Sequence, residues 1–104
     1  MKLNLTGKQA RHLRALGHSL KPVLQIGKSG ITDGMIEQIR KALETHELIK
    51  VKLIRNATVD VKGAAEDICS KVPCYLAHKI GKTLMIYRPR EENPTITLPT
   101  ASNS

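Results

Sequence analysis

Gly27, Lys28, Ser29 and Gly30 form the segment of this sequence best suited to holding an anion. Glycines at both ends leave no side chain in the way of a close backbone approach, and Lys28 adds a positive charge between them. Where such a loop joins a strand to a helix, backbone N–H groups and the helix N-terminus can meet a phosphate. The same tetrapeptide also serves many proteins as a plain turn, so its meaning depends on what surrounds it. Gly81, Lys82 and Thr83 resemble the end of a triphosphate-binding loop, but Leu76 stands where that motif requires glycine, and a strand rather than a helix follows. Nucleotide binding is excluded on that ground. Cys69, Cys74 and His78 are candidate metal ligands, yet four ligands at zinc-site spacing are missing. The two cysteines read as reduced, buried or half-buried thiols. No convergent acid–base set can be named, so neither a cofactor nor catalysis is expected, and His12 and His18 fall on a solvated helix face.

Charge gives the loop its context. The 104 residues hold 17 Lys and Arg against 9 Asp and Glu, a net charge of +8, and a pI near 9.8. Residues 1–88 carry +9 and the remainder −1, so the basic part is the part expected to fold. A domain pI above about 9 marks a candidate for nucleic-acid binding. Phe and Trp are absent, and Tyr75 and Tyr87 are the only aromatic residues. Modules that stack bases on a sheet of exposed rings are thereby excluded, and contact through phosphates and backbone amides is what remains. No apolar run approaches the roughly 20 residues of a membrane span, and the N-terminus shows no signal-peptide pattern; a cytoplasmic protein with no membrane partner is expected.

The elements that must position these residues follow from periodicity. Residues 7 to about 20 read as a helix behind Thr6, with Ala10, Leu13, Leu16, Gly17 and Leu20 on one side and Lys8, Arg11, Arg14 and His18 on the other. Lys21-Pro22 ends it, and residues 23–26 read as a short buried strand. After the glycine loop, Thr32 caps a second helix reaching about residue 47. Met35, Ile36, Ile39, Ala42 and Leu43 form its core stripe; Asp33, Glu37, Arg40, Glu44 and Glu47 lie on its outer side. Residues 48–55 alternate, turning Ile49, Val51 and Leu53 to one face and Lys50 and Lys52 to a solvent face. A third helix spans residues 60–71 and stops before Pro73. Residues 74–80 and 83–88 then pair around the two-residue loop Gly81-Lys82. The order is αβαβαββ, a single α/β domain over residues 1–90, with residues 91–104 as a flexible polar tail in which Ile96 and Leu98 are the apolar residues able to touch the domain.

Taken together, Leu20-Lys21-Pro22-Val23, Gly27-Lys28-Ser29-Gly30, Ile31-Thr32-Asp33-Gly34, His46-Glu47-Leu48-Ile49-Lys50-Val51-Lys52 and Gly81-Lys82-Thr83-Leu84-Met85-Ile86-Tyr87-Arg88-Pro89 resemble the CRM domain. This is the chloroplast RNA splicing and ribosome maturation domain, here in the stand-alone form of the bacterial YhbY-like proteins. The resemblance covers residues 1 to about 90. It implies a two-layer α/β fold with a four-stranded mixed sheet, similar to the C-terminal domain of translation initiation factor three. It further implies RNA binding through the Gly27, Lys28, Ser29, Gly30 loop, and association with precursors of the large ribosomal subunit. The family loop often carries Asn where Ser29 stands. Lys8, Arg11, Arg14, Lys50, Lys52 and Lys82 are the basic residues expected to add contacts, and a monomer is favoured. The alternative is a protein-interaction module that docks on an acidic ribosomal protein or processing factor.

Overall fold

Three local signals start the three helices. The Thr6 hydroxyl accepts from the Gln9 amide at 3.1 Å while the Gln9 side chain accepts from the Thr6 amide, a reciprocal box that opens α1 (Gly7–Gly17). Thr32 accepts from Met35 at the start of α2 (Asp33–His46), and Asp60 accepts from Gly63 at 2.7 Å to open α3 (Val61–Lys71). The strands are β1 (Leu24–Ile26), β2 (Leu48–Leu53), β3 (Tyr75–Ile80) and β4 (Thr83–Tyr87). The computed structural model describes residues 5–54, 59–90, 94 and 96. The expected order αβαβαββ is the order found, as a four-stranded mixed sheet with strands arranged β1-β2-β4-β3. β1 runs parallel to β2, and β4 lies antiparallel to both β2 and β3. A register shift between Leu76 and His78 places Ala77 in a bulge of the β3 edge.

Alternation along β2 divides the molecule. Ile49, Val51 and Leu53 enter the larger core with Ile26, Leu84 and Ile86, where α2 brings Ile36, Ile39 and Leu43 and α3 brings Ala64, Ala65 and Ile68. Leu48 joins Leu13, Ala77, Met85 and Tyr87 in a smaller cluster on the opposite face. α2 and α3 thus make the helical layer of the α/β pair, and α1 covers part of the sheet's other side. Its close approach depends on Gly17, where a Cβ would lie 2.6 Å from the Met85 sulfur.

Several placements differ from the sequence reading. β1 begins at Leu24, and Val23, expected in the buried strand, is exposed. α1 ends at Gly17, short of Leu20: tighter bonds from His18 to Ala15 and from Leu20 to Gly17 take over. Leu16 and Leu20 are consequently exposed, although the helical wheel puts them on the apolar side. Glu47, expected on the outer side of α2, is 0% exposed. It caps that helix at φ 63°, which swings its side chain off the helical wheel. Its carboxylate accepts from the Arg90 amide at 3.1 Å and the Ile96 amide at 3.2 Å, so the buried charge is met by backbone donors from the chain leaving β4. Ile96 packs on the smaller cluster, as the sequence allows. Arg55, Leu98 and most of the expected tail, residues 91–93, 95 and 97–104, lie outside the described residues.

Candidate nucleic-acid interface

The glycine loop is a closed turn at the end of β1. The Gly30 amide bonds the Gly27 carbonyl at 3.0 Å, and Gly30 has φ 69°, a left-handed conformation in which glycine avoids the Cβ clash. Gly30 is buried, whereas Lys28 and Ser29 are exposed at the corner. Gly27 sits against β2's exit: a Cβ there would meet the Ile54 side chain at 3.0 Å. The turn therefore presents its two central residues outward while its glycines seat it on the domain. At the helix that follows, the Thr32 hydroxyl already occupies the Met35 amide and Asp33 stands in the first turn. The amides of Lys28 and Ser29 make no backbone hydrogen bond to described residues, so the turn, unlike the capped start of the helix, keeps N–H groups that are not engaged by the backbone.

Sheet register brings two further lysines to that end. The Ile54 amide bonds Ile26 at 2.9 Å, and the Leu53 amide bonds the Lys82 carbonyl at 2.7 Å. The exits of β1 and β2 and the β3–β4 hairpin are thereby tied into one rim. Gly81 opens that hairpin at φ 55°. Lys52 pairs with Gln25 on one side and Thr83 on the other. Lys28, Lys52 and Lys82 are all exposed and share this rim. Gln25 and Thr83 extend the row on the face left open beyond α1; the sequence reading did not single out Gln25, and took up Thr83 only with the rejected triphosphate loop and the family motif. The signal for Gln25 was available in β1, where Leu24 and Ile26 turn inward and Gln25 turns out.

The remaining basic residues divide into two groups. Lys8, Arg11 and Arg14 are exposed along α1, on the same side of the sheet as Lys52, as the helical wheel requires. Lys50 departs from the expectation of a solvent-facing lysine. It is half-buried, and its ammonium donates to the carbonyls of Leu20 at 3.0 Å and His18 at 3.3 Å. Its charge thus serves the end of α1, where carbonyls without helical partners gather. An apolar groove flanks this segment, lined by Leu16, Leu20, Val23 and Leu48 with Lys21 and His46 at its margin. Within the smaller cluster, the Tyr75 and Tyr87 rings lie 6.0 Å apart at 31°. Burial, then the charges of Glu47 and Tyr75, push the Tyr87 hydroxyl above the usual range, so it stays a neutral phenol. Neither ring belongs to the rim.

The model of the CRS1 / YhbY (CRM) domain matches residues 5–88. The chain belongs to this family. The CRM match takes in α1, the glycine turn and all four strands. Among relatives, the "Probable RNA-binding protein YqeI" of Bacillus subtilis is 44% identical over 95 residues, covering 91% of this chain and 99% of that one. An "RNA-binding protein" of Haemophilus influenzae is 39% identical over 98 residues, covering 85% and 89%. The solution structure of the hypothetical protein SAV1595 from Staphylococcus aureus superposes with a TM-score of 0.77 at 46% identity, over 92% of this chain and all of that one. The CRM fold is thus shared along nearly the whole length of these chains.

Proposed function

We propose that this CRM domain binds RNA, gripping the sugar-phosphate backbone at the rim formed by Gly27, Lys28, Ser29 and Gly30 with Lys52 and Lys82. The observation that carries this reading is the register that sets three exposed lysines and the exposed corner of the glycine turn on one end of the sheet. Phosphate contacts of this kind fix position and supply affinity without demanding a base sequence. Lys8, Arg11 and Arg14 extend the basic surface along α1, and Lys50 acts by holding the end of that helix. The names of the relatives support RNA as the partner class. The role is binding without catalysis or a cofactor, carried by residues 1–90 of a cytoplasmic monomer. No helix among the described residues is long and apolar enough to cross a membrane. Within that role, the target is structured RNA of precursor large ribosomal subunits, where the protein assists assembly.

Crosslinking in cells followed by sequencing of the attached RNA tests the assignment. Reads concentrated on large-subunit precursor RNA, with crosslinked peptides from the 27–30 turn or the 81–82 hairpin, are expected. Reads spread evenly over cellular RNA would overturn the ribosomal role. A second reading is that the domain docks on an acidic protein of the particle, and the exposed apolar groove beside Lys21 favours it. Nuclease treatment separates the two: it releases the protein from ribosomal particles when RNA is the anchor and leaves it bound when a protein is.

A further inference from the structure

Cys69 and Cys74 take no part in the rim. Cys69 lies in the last turn of α3, and Cys74, five residues further along the chain, immediately precedes β3. Both are free and half-buried, and their sulfurs are 3.5 Å apart. A disulfide requires about 2.05 Å, so rotation about the two side chains has to close roughly 1.5 Å. Cys74 packs against the larger core, and Cys69 is the less buried of the two. In the antiparallel ladder Tyr75 pairs with Tyr87, at the end of β4 away from the hairpin tip where Ile80 pairs with Thr83. The thiol pair is thus a full strand length from Lys82.

We infer that Cys69 and Cys74 are a dithiol site that a low-molecular-weight disulfide converts reversibly to an intramolecular disulfide. In the first step the Cys69 thiolate attacks one sulfur of the small disulfide, forming a mixed disulfide and releasing one small thiolate. Cys74 then loses its proton to solvent, and its sulfur attacks the Cys69 sulfur. That step forms the Cys69–Cys74 bond and releases the second small thiolate. Two protein thiols are oxidised and one small disulfide is reduced to two thiols, which balances the electrons. The order follows from the pair's asymmetry. The two sulfurs share a hydrogen bond in which either can be the donor, and that contact holds the Cys69 thiol down at about 7 against the opposing effect of burial. Cys74 is pushed up by the same contact, by burial and by the charge on Cys69, with Arg88 offsetting part of the rise. Cys74 packs against the larger core and Cys69 is the less buried of the two, so a small disulfide reaches Cys69 first and Cys69 is the nucleophile.

The test incubates the full chain with mixtures of oxidised and reduced glutathione, quenches with acid, alkylates, and weighs the products. Folded protein is expected to yield a monomer two hydrogens lighter with neither cysteine alkylated. Its midpoint should lie at a glutathione ratio at least about tenfold less oxidising than for the same chain in concentrated urea, because the fold holds the sulfurs together. Cys74→Ser should accumulate the glutathione adduct on Cys69, since no second thiol resolves it. Limited alkylation of the reduced parent at pH 7 should label Cys69 at least about tenfold ahead of Cys74. The proposal is overturned if both cysteines stay alkylatable, if the folded chain oxidises no more readily than the unfolded one, if disulfide-linked dimers form instead, or if Cys74 is labelled first. RNA affinity of the oxidised form should equal that of the reduced form, and a loss on oxidation would contradict the remote placement of the pair.

Discussion

At the scale of single residues, two positions show backbone conformation deciding what a side chain can do. Gly30 is buried at φ 69°, so its lack of a Cβ is what lets Lys28 and Ser29 stand outward on a tight turn. Gly30→Ala should therefore cost about 1–2 kcal/mol of stability, the penalty for a left-handed residue with a Cβ. Urea unfolding would show a lowered midpoint with an unchanged slope, and an unchanged midpoint would mean that the turn tolerates a Cβ. Glu47 shows the converse. An acidic residue near a helix end reads as solvated surface, and spacing alone holds no sign of the φ 63° turn that buries it beneath the amides of Arg90 and Ile96. Its role depends on chain that returns more than forty residues later, which no local pattern encodes.

Among the elements, α1 best separates what pattern discloses from what packing adds. Thr6 ahead of the helix, the stripe through Leu13 and Gly17 and the basic face were legible, because capping and amphipathicity are local, while the reciprocal bond from Gln9 was not singled out. Where α1 stops was not, since it is set by Gly17 meeting Met85 and by Lys50 reaching across from β2. Lys50→Met keeps the apolar stem and removes the ammonium. It is expected to cost about 1 kcal/mol, the usual worth of a hydrogen bond at a half-exposed site, and to speed hydrogen exchange of the Leu20 amide. Unchanged exchange would show that the 18–23 segment holds its place without the lysine. The sheet has the same division. Alternation and the Gly81-Lys82 loop disclosed β2, β3 and β4, whereas the β1-β2-β4-β3 arrangement and the Ala77 bulge arise from long-range pairing.

For the whole molecule, the +8 charge matters less than where the fold gathers it. Lys28, Lys52 and Lys82 are distant in sequence and meet only because β1, β2 and the hairpin end on one rim. The 27–30 turn was legible as a candidate on glycine spacing; its neighbours on the rim needed the register. A grip of about four to six phosphates on single-stranded RNA predicts a log–log dependence of affinity on salt with slope about −3 to −4. A slope near zero at measurable affinity would favour docking on a protein. Titrating RNA against the Lys28→Asp, Ser29→Asp double variant, beside a Glu37→Gln, Glu44→Gln control on the outer face of α2, decides whether the 27–30 turn grips RNA. Both glycines are retained, so thermal unfolding of the loop variant should match the parent. The loop variant is expected to lose at least about tenfold in affinity, equivalent to about 1.4 kcal/mol, and the control to lose none. A folded loop variant that binds RNA as tightly as the parent would leave the turn a turn and move the contact surface to α1 and the strand lysines.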